Sequence, residues 1–87
     1  MATFVVETYM SPAAGAEPDP TIARVRATAD AAAAAGEPVR YVRSMFMPAE
    51  ETLLLVFEAD SVEVVRAVTV RAGIEPDRIA PTESHER

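Results

Sequence analysis

Apolar and polar positions alternate from Thr3 to Tyr9, with Phe4, Val6 and Thr8 on one face and Val5, Glu7 and Tyr9 on the other. The run is β-branched and aromatic, so it predicts a strand. A stretch rich in Pro, Gly and Ala from Ser11 to Pro18 predicts a loop. Asp19-Pro20 then predicts a helix start, with a carboxylate to cap free N–H groups and a proline at the first helical position. The helix is expected to reach about Ala35 and stop at Gly36. Its period puts Ile22, Val25, Ala29, Ala32 and Ala33 on one shallow face that can lie close to a sheet. Arg26 and Asp30 flank that face as a solvated i,i+4 pair.

Val39 to Met47 and Thr52 to Ala59 predict two further strands around a Pro48-Ala49-Glu50-Glu51 turn. The Leu53 to Phe57 run is continuously apolar, as suits a central strand. Asp60-Ser61-Val62-Glu63 resembles a capping box with Asp60 as the cap. From Ser61 to Ala72 the β-branched residues favour strand, whereas Val62, Val65, Val68, Thr69 and Ala72 share one helical face bracketed by that cap and Gly73. The bracketing decides for helix and leaves Val64 and Val70 off the core face. Arg78 to Thr82 predicts a short last strand, on a sheet edge because of Pro81. Strand, helix, strand, strand, helix, strand with right-handed crossovers is the α+β, ferredoxin-like βαββαβ arrangement: a four-stranded antiparallel sheet with two helices on one face. Residues 1–83 form one domain and 84–87 a flexible tail.

That architecture leaves one sheet face bare, yet the strands carry large apolar groups on both sides. Phe4 and Val6 oppose Val5 and Tyr9, and strict alternation sets Tyr41, Met45 and Met47 against Val42 and Phe46. The excess apolar surface implies a homo-oligomer, a dimer in which two sheets close as a dimeric α+β barrel. Met10, Met45 and Met47 are read as adaptable packing at that interface rather than a soft-metal site.

The chain has 87 residues, formal charge −6 and no cysteine. Its size excludes a multidomain enzyme, and the missing cysteine excludes disulfides, thiolate zinc sites and a cysteine nucleophile. Acidity argues against nucleic acid and anionic membrane as partners. All eight basic residues are arginine and seventeen residues are alanine, a bias that fits a GC-rich genome. The start lacks a signal-peptide pattern and no segment approaches the about 20 apolar residues of a membrane span, so the expected location is the cytoplasm.

Glu7 and Glu58 stand in apolar strands, where burial raises a carboxyl pKa and suits a general base or a ligand group. The alternative is pairing with arginine, and Arg40, Arg43 and Arg78 are all on strands. Tyr9 and Tyr41 could orient a ligand through their hydroxyls or pack an interface. His85, the one histidine, stands beside Glu83 and Glu86 near the end of the chain, too few nitrogen or sulfur donors for a metal site of its own. No phosphate-binding glycine loop, nucleophile elbow, zinc-protease helix or acidic calcium loop is present.

Val6-Glu7, Val39-Arg40-Tyr41-Val42-Arg43-Ser44, Val56-Phe57-Glu58-Ala59 and Arg71-Ala72-Gly73-Ile74-Glu75-Pro76-Asp77-Arg78-Ile79 together resemble a family of small bacterial ferredoxin-like proteins. That family is labelled a domain of unknown function, and some members are described as nickel-binding. The resemblance implies a dimeric ferredoxin-like fold and a metal or small-ligand site. Tyr41 and Leu55 stand where such proteins frequently have tryptophan and cysteine, and no internal histidine is present to take the nickel-binding role. No metal or cofactor is therefore expected. Glu7, Tyr41, Ser44 and Glu58 match motif positions and, with Tyr9, are the expected ligand-binding residues. The expected function is that of a small ligand-binding or interaction protein, with the ligand between sheet and helices. The alternative is a cofactor-independent enzyme of the dimeric α+β barrel type with Glu7 or Glu58 as acid or base.

Overall fold

The structure is a computed structural model that describes residues 1–83 and 85. Strands β1 (Ala2–Tyr9), β2 (Val39–Met47), β3 (Thr52–Ala59) and β4 (Arg78–Thr82) alternate with helices α1 (Pro18–Ala34) and α2 (Val62–Arg71) in the order expected from the sequence. The four strands form one antiparallel sheet of order β2-β3-β1-β4, so β2 and Pro81-bearing β4 are the edges. This is the α+β, ferredoxin-like fold. A short 3₁₀ turn, Pro12–Ala14, interrupts the loop before α1. Apart from His85, the tail expected at 84–87 lies outside the described residues. Among the described residues no helix is long and apolar enough to cross a membrane, which says nothing of a β-barrel.

Local chemistry explains most boundaries and corrects two caps. Helix α1 begins two residues earlier than Asp19-Pro20 suggests: Glu17 is the N-cap without a side-chain bond, Pro18 opens the helix, and Asp19 lies in its first turn. In α2 the cap is Ser61, whose Oγ accepts from Val64 N–H at 3.4 Å, and Asp60 precedes it. Both helices close on glycines in the left-handed region, Gly36 at φ 90° and Gly73 at φ 81°, where a Cβ would be strained.

The core lies between the helices and one sheet face. Phe57, Leu53, Leu55, Val6, Val25, Val65, Val68 and Thr69 are fully buried there. On α1 the buried stripe is Thr21, Val25, Ala29 and Ala32, while Ala33 is exposed. Thr21 satisfies its hydroxyl on Glu17 O at 3.0 Å, which lets a polar residue take the place expected of an apolar one. Met10 is a core residue rather than an interface one, and Val64 packs against the core, leaving Val70, 60% exposed, alone off it.

One departure from strict alternation matters for the site. The β2–β3 register runs Tyr41↔Phe57 and then Arg43↔Val56, leaving Val42 as the extra residue of a β-bulge. Residues three apart in a regular strand face opposite sides; the bulge puts Tyr41 and Ser44 on the same, helix-facing side. Met45 and Met47 consequently fall on the opposite face from Tyr41, not on the same one.

Candidate functional site

The space between sheet and helices is filled by the core, so the ligand expected there has no interior chamber among the described residues. The candidate residues divide between the two sides of the sheet. Glu7, Tyr9 and Glu58 belong to the open face, Tyr41 and Ser44 to the helix side.

The register gives the open face as rows. Met45, Leu54, Glu7 and Arg78 form one; Arg43, Val56, Val5 and Ala80 the next; Arg40, Glu58, Thr3 and Thr82 a third. Each glutamate lies beside an arginine of an adjacent strand. Glu7 Oε2 is 3.5 Å from Arg78 Nη1. Glu58 Oε1 accepts from Nε and Nη2 of Arg40. Apolar side chains lie between and beside these pairs, Val5, Val56 and Ala80 in the row that Arg43 begins, with Met45 41% and Met47 38% exposed at the β2 edge. Tyr9 ends β1 with its side chain in solvent, its hydroxyl 3.4 Å from Glu51 Oε1 and its N–H donating to Asp77 Oδ2 at 2.6 Å.

Of the clefts on the other surfaces, two are lined in part by strand residues. The larger, about 530 Å³, lies where the end of β1 meets α1 and the loop after α2. Its polar groups are spent on holding that loop. Thr8 Oγ1 donates to Glu75 O at 3.0 Å, Arg24 Nε to the Ala72 carbonyl at 2.7 Å, and Asp77 is bound to Tyr9.

A second cleft, about 380 Å³, lies between α1 and the bulge and is lined by Arg26, Asp30, Tyr41, Val42, Arg43 and Ser44. Tyr41 O–H and Ser44 Oγ are 3.0 Å apart. The Tyr41 ring stands edge-on to the fully buried Phe57, centroids 5.9 Å apart at 77°, an arrangement aromatic quadrupoles favour and one that fixes the hydroxyl. Arg26, Asp30 and Arg43 were not expected in a site. The i,i+4 spacing put Arg26 and Asp30 on one side of α1 but suggested a mutual ion pair, and none forms between them. Only the bulge, which no residue type announces, brings both Tyr41 and Ser44 to that side, while Arg43, in an open-face row by register, lines the cleft from the β2 edge.

The fold and this arrangement define a ferredoxin-like α+β domain with one open sheet face and a polar cleft behind its edge strand. The sequence matches the family described as "Nickel responsive protein SCO4226-like" over residues 4–81, and the chain belongs to that family. The structure is similar to the crystal structure of SCO4226 from Streptomyces coelicolor A3(2), with a TM-score of 0.74, 23% identity, and coverage of 98% of this chain and 100% of that one. At that identity the likeness establishes the fold. No curated protein sequence gives a match.

A nickel ion needs several convergent nitrogen, sulfur or carboxylate donors. Among the described residues no three His, Cys, Asp or Glu side chains converge, and His85 Nε2 lies 3.2 Å from Glu83 Oε2 at the end of the chain. That donor set does not fit a resident nickel ion held by one described chain.

Proposed function

We propose that this chain is a non-catalytic, cytoplasmic binding protein that works as a homodimer. Two open sheet faces close on each other as a dimeric α+β barrel, and Tyr41 and Ser44 belong to a small-molecule pocket outside that interface. The observation that carries the dimer is the composition of the open face. Its apolar side chains, Val5, Leu54, Val56 and Met45, lie among the Glu7–Arg78 and Arg40–Glu58 pairs, whose four charges cancel, and the one further charge in these rows is the cation of Arg43. The whole chain carries −6. A second copy therefore meets least repulsion on this face, and apolar burial supplies the attraction. Glu7, Glu58 and Tyr9 are interface residues in this reading.

Pairing of both strand glutamates with arginine also favours binding over catalysis. A general base needs a carboxylate aimed at a substrate proton, and these two are engaged with cations on an open surface. The nickel response in the family's description is left with its parent proteins, since the described residues do not supply a donor set.

Sedimentation velocity tests the dimer. The expected species has twice the 9.3 kDa chain mass. Leu54→Glu, which sets a second carboxylate beside Glu7 on the open face, should give a folded monomer by circular dichroism, whereas Val70→Glu on the exposed side of α2 should stay dimeric. A monomeric wild type, or a Leu54→Glu protein that still dimerises, would sink the reading.

A further inference from the structure

We propose that the cleft at the β2 bulge binds a small oxyanion, a ligand presenting a phosphate or carboxylate group, through Arg26 and Arg43 with the hydroxyls of Tyr41 and Ser44. The proposal rests on reading Tyr41 and Ser44 as pocket residues and adds the class of ligand.

The partners of the arginines single this cleft out. Arg40, Arg71 and Arg78 pair with Glu58, Glu37 and Glu7, and Arg24 is held by the Ala72 carbonyl. Among the described residues Arg26, Arg43 and Arg66 make neither an ion pair nor a side-chain hydrogen bond; Arg66 stands apart on α2, whereas Arg26 and Arg43 line this one cleft together. The chain has 14 acidic residues to 8 basic ones, so carboxylates are plentiful, yet neither of these two guanidinium groups takes one. With Asp30 counted, the cleft keeps a formal charge of +1, Arg26 and Arg43 against one carboxylate, inside a molecule of −6.

Hydroxyl bookkeeping points the same way. Tyr41 and Ser44 carry two hydroxyl hydrogens, and their mutual bond at 3.0 Å uses one. The other is free to donate to a ligand oxygen. The ring contact with Phe57 fixes the phenol before any ligand arrives, which lowers the ordering cost of binding. Guanidinium groups match the geometry of phosphate and carboxylate oxygens. A volume of about 380 Å³ suits a small metabolite rather than a polymer.

The test is a ¹H–¹⁵N chemical-shift titration of the full chain with inorganic phosphate, malonate and glycerol, each at ionic strength held constant with sodium chloride. Phosphate or malonate should move the amides of Tyr41–Ser44 and of α1 around Arg26 along a saturating curve. The stronger of the two identifies the phosphoryl or the carboxylate source. Arg26→Gln and Arg43→Gln should each weaken binding about tenfold or more, since each removes a charge-assisted hydrogen bond. Tyr41→Phe, which keeps the ring on Phe57, should weaken it several-fold, Asp30→Asn should tighten it, and Arg66→Gln on α2 should leave it unchanged. If neither anion moves these amides, or if the Arg26→Gln/Arg43→Gln double variant binds as the wild type does, the oxyanion proposal fails. Glycerol shifting the same amides in that case would leave the pocket standing as a neutral-ligand site; no shift from any of the three compounds would remove the pocket as well.

Discussion

Glu37 and Arg71 join the loop before β2 to the last residue of α2 through a two-point contact. Arg71 Nη2 donates to Glu37 Oε1 at 2.8 Å and Nη1 to Oε2 at 3.1 Å. The hydrogen bond from the guanidinium holds the Glu37 carboxyl below its ordinary range against the opposing effect of desolvation, and the guanidinium charge adds a lesser lowering. The same bond raises Arg71 further above a range already beyond usable pH. Because the folded-state pKa of Glu37 is depressed, its stabilisation is fully present above the ordinary glutamate value of about 4.3 and is lost as pH falls through the folded value. Glu37→Gln should therefore be less stable than wild type in urea at neutral pH, and the difference should close on acidification to below the carboxylate range. An unchanging difference across that span would show that the side chain acts by packing rather than by charge.

At the scale of elements, α2 is the segment whose local preferences conflict most. Its valines favour strand, and its ends decide for helix. Ser61 supplies the start by accepting from Val64 N–H, so Ser61→Ala should cost about 1 kcal/mol of folding free energy. Asp60→Ala should cost little, because Asp60 precedes the cap; reversed magnitudes in chemical denaturation would restore Asp60 to that role. Strand boundaries were legible in the sequence because turn residues and apolar runs mark them: Val39–Met47, Thr52–Ala59 and Arg78–Thr82 coincide with the expected strands. The pairing of Glu7 and Glu58 with arginines was legible as one of two alternatives. The bulge at Val42 was not, since it depends on how β2 registers against β3, and a period of two read along one strand cannot detect a residue the partner strand skips. That single extra residue hid the cleft, since strict alternation assigned Tyr41 and Ser44 to opposite faces. Thr21 escaped for a related reason: its burial is made cheap by a hydrogen bond to Glu17 O that residue type alone does not reveal.

At the scale of the whole molecule, charge and apolar surface act in opposite directions on self-association. Two copies of −6 repel at long range, and added salt screens that repulsion while leaving apolar burial in place. The dimer should accordingly tighten as sodium chloride rises from low to physiological concentration, as read by sedimentation equilibrium. Weakening with salt would mean that ion pairs across the interface, rather than its apolar rows, hold the copies together. The sheet's borders set a further limit. On β4, Pro81 offers no N–H to a neighbouring strand, and on β2 the bulge breaks the regular spacing an incoming strand would need. Addition of strand to strand, the route by which small sheets polymerise into fibrils, is obstructed along both margins. In the proposed dimer the remaining face meets its own copy about a two-fold axis and is used up once it has done so, so that crowding this protein in solution should yield a finite particle rather than a growing chain.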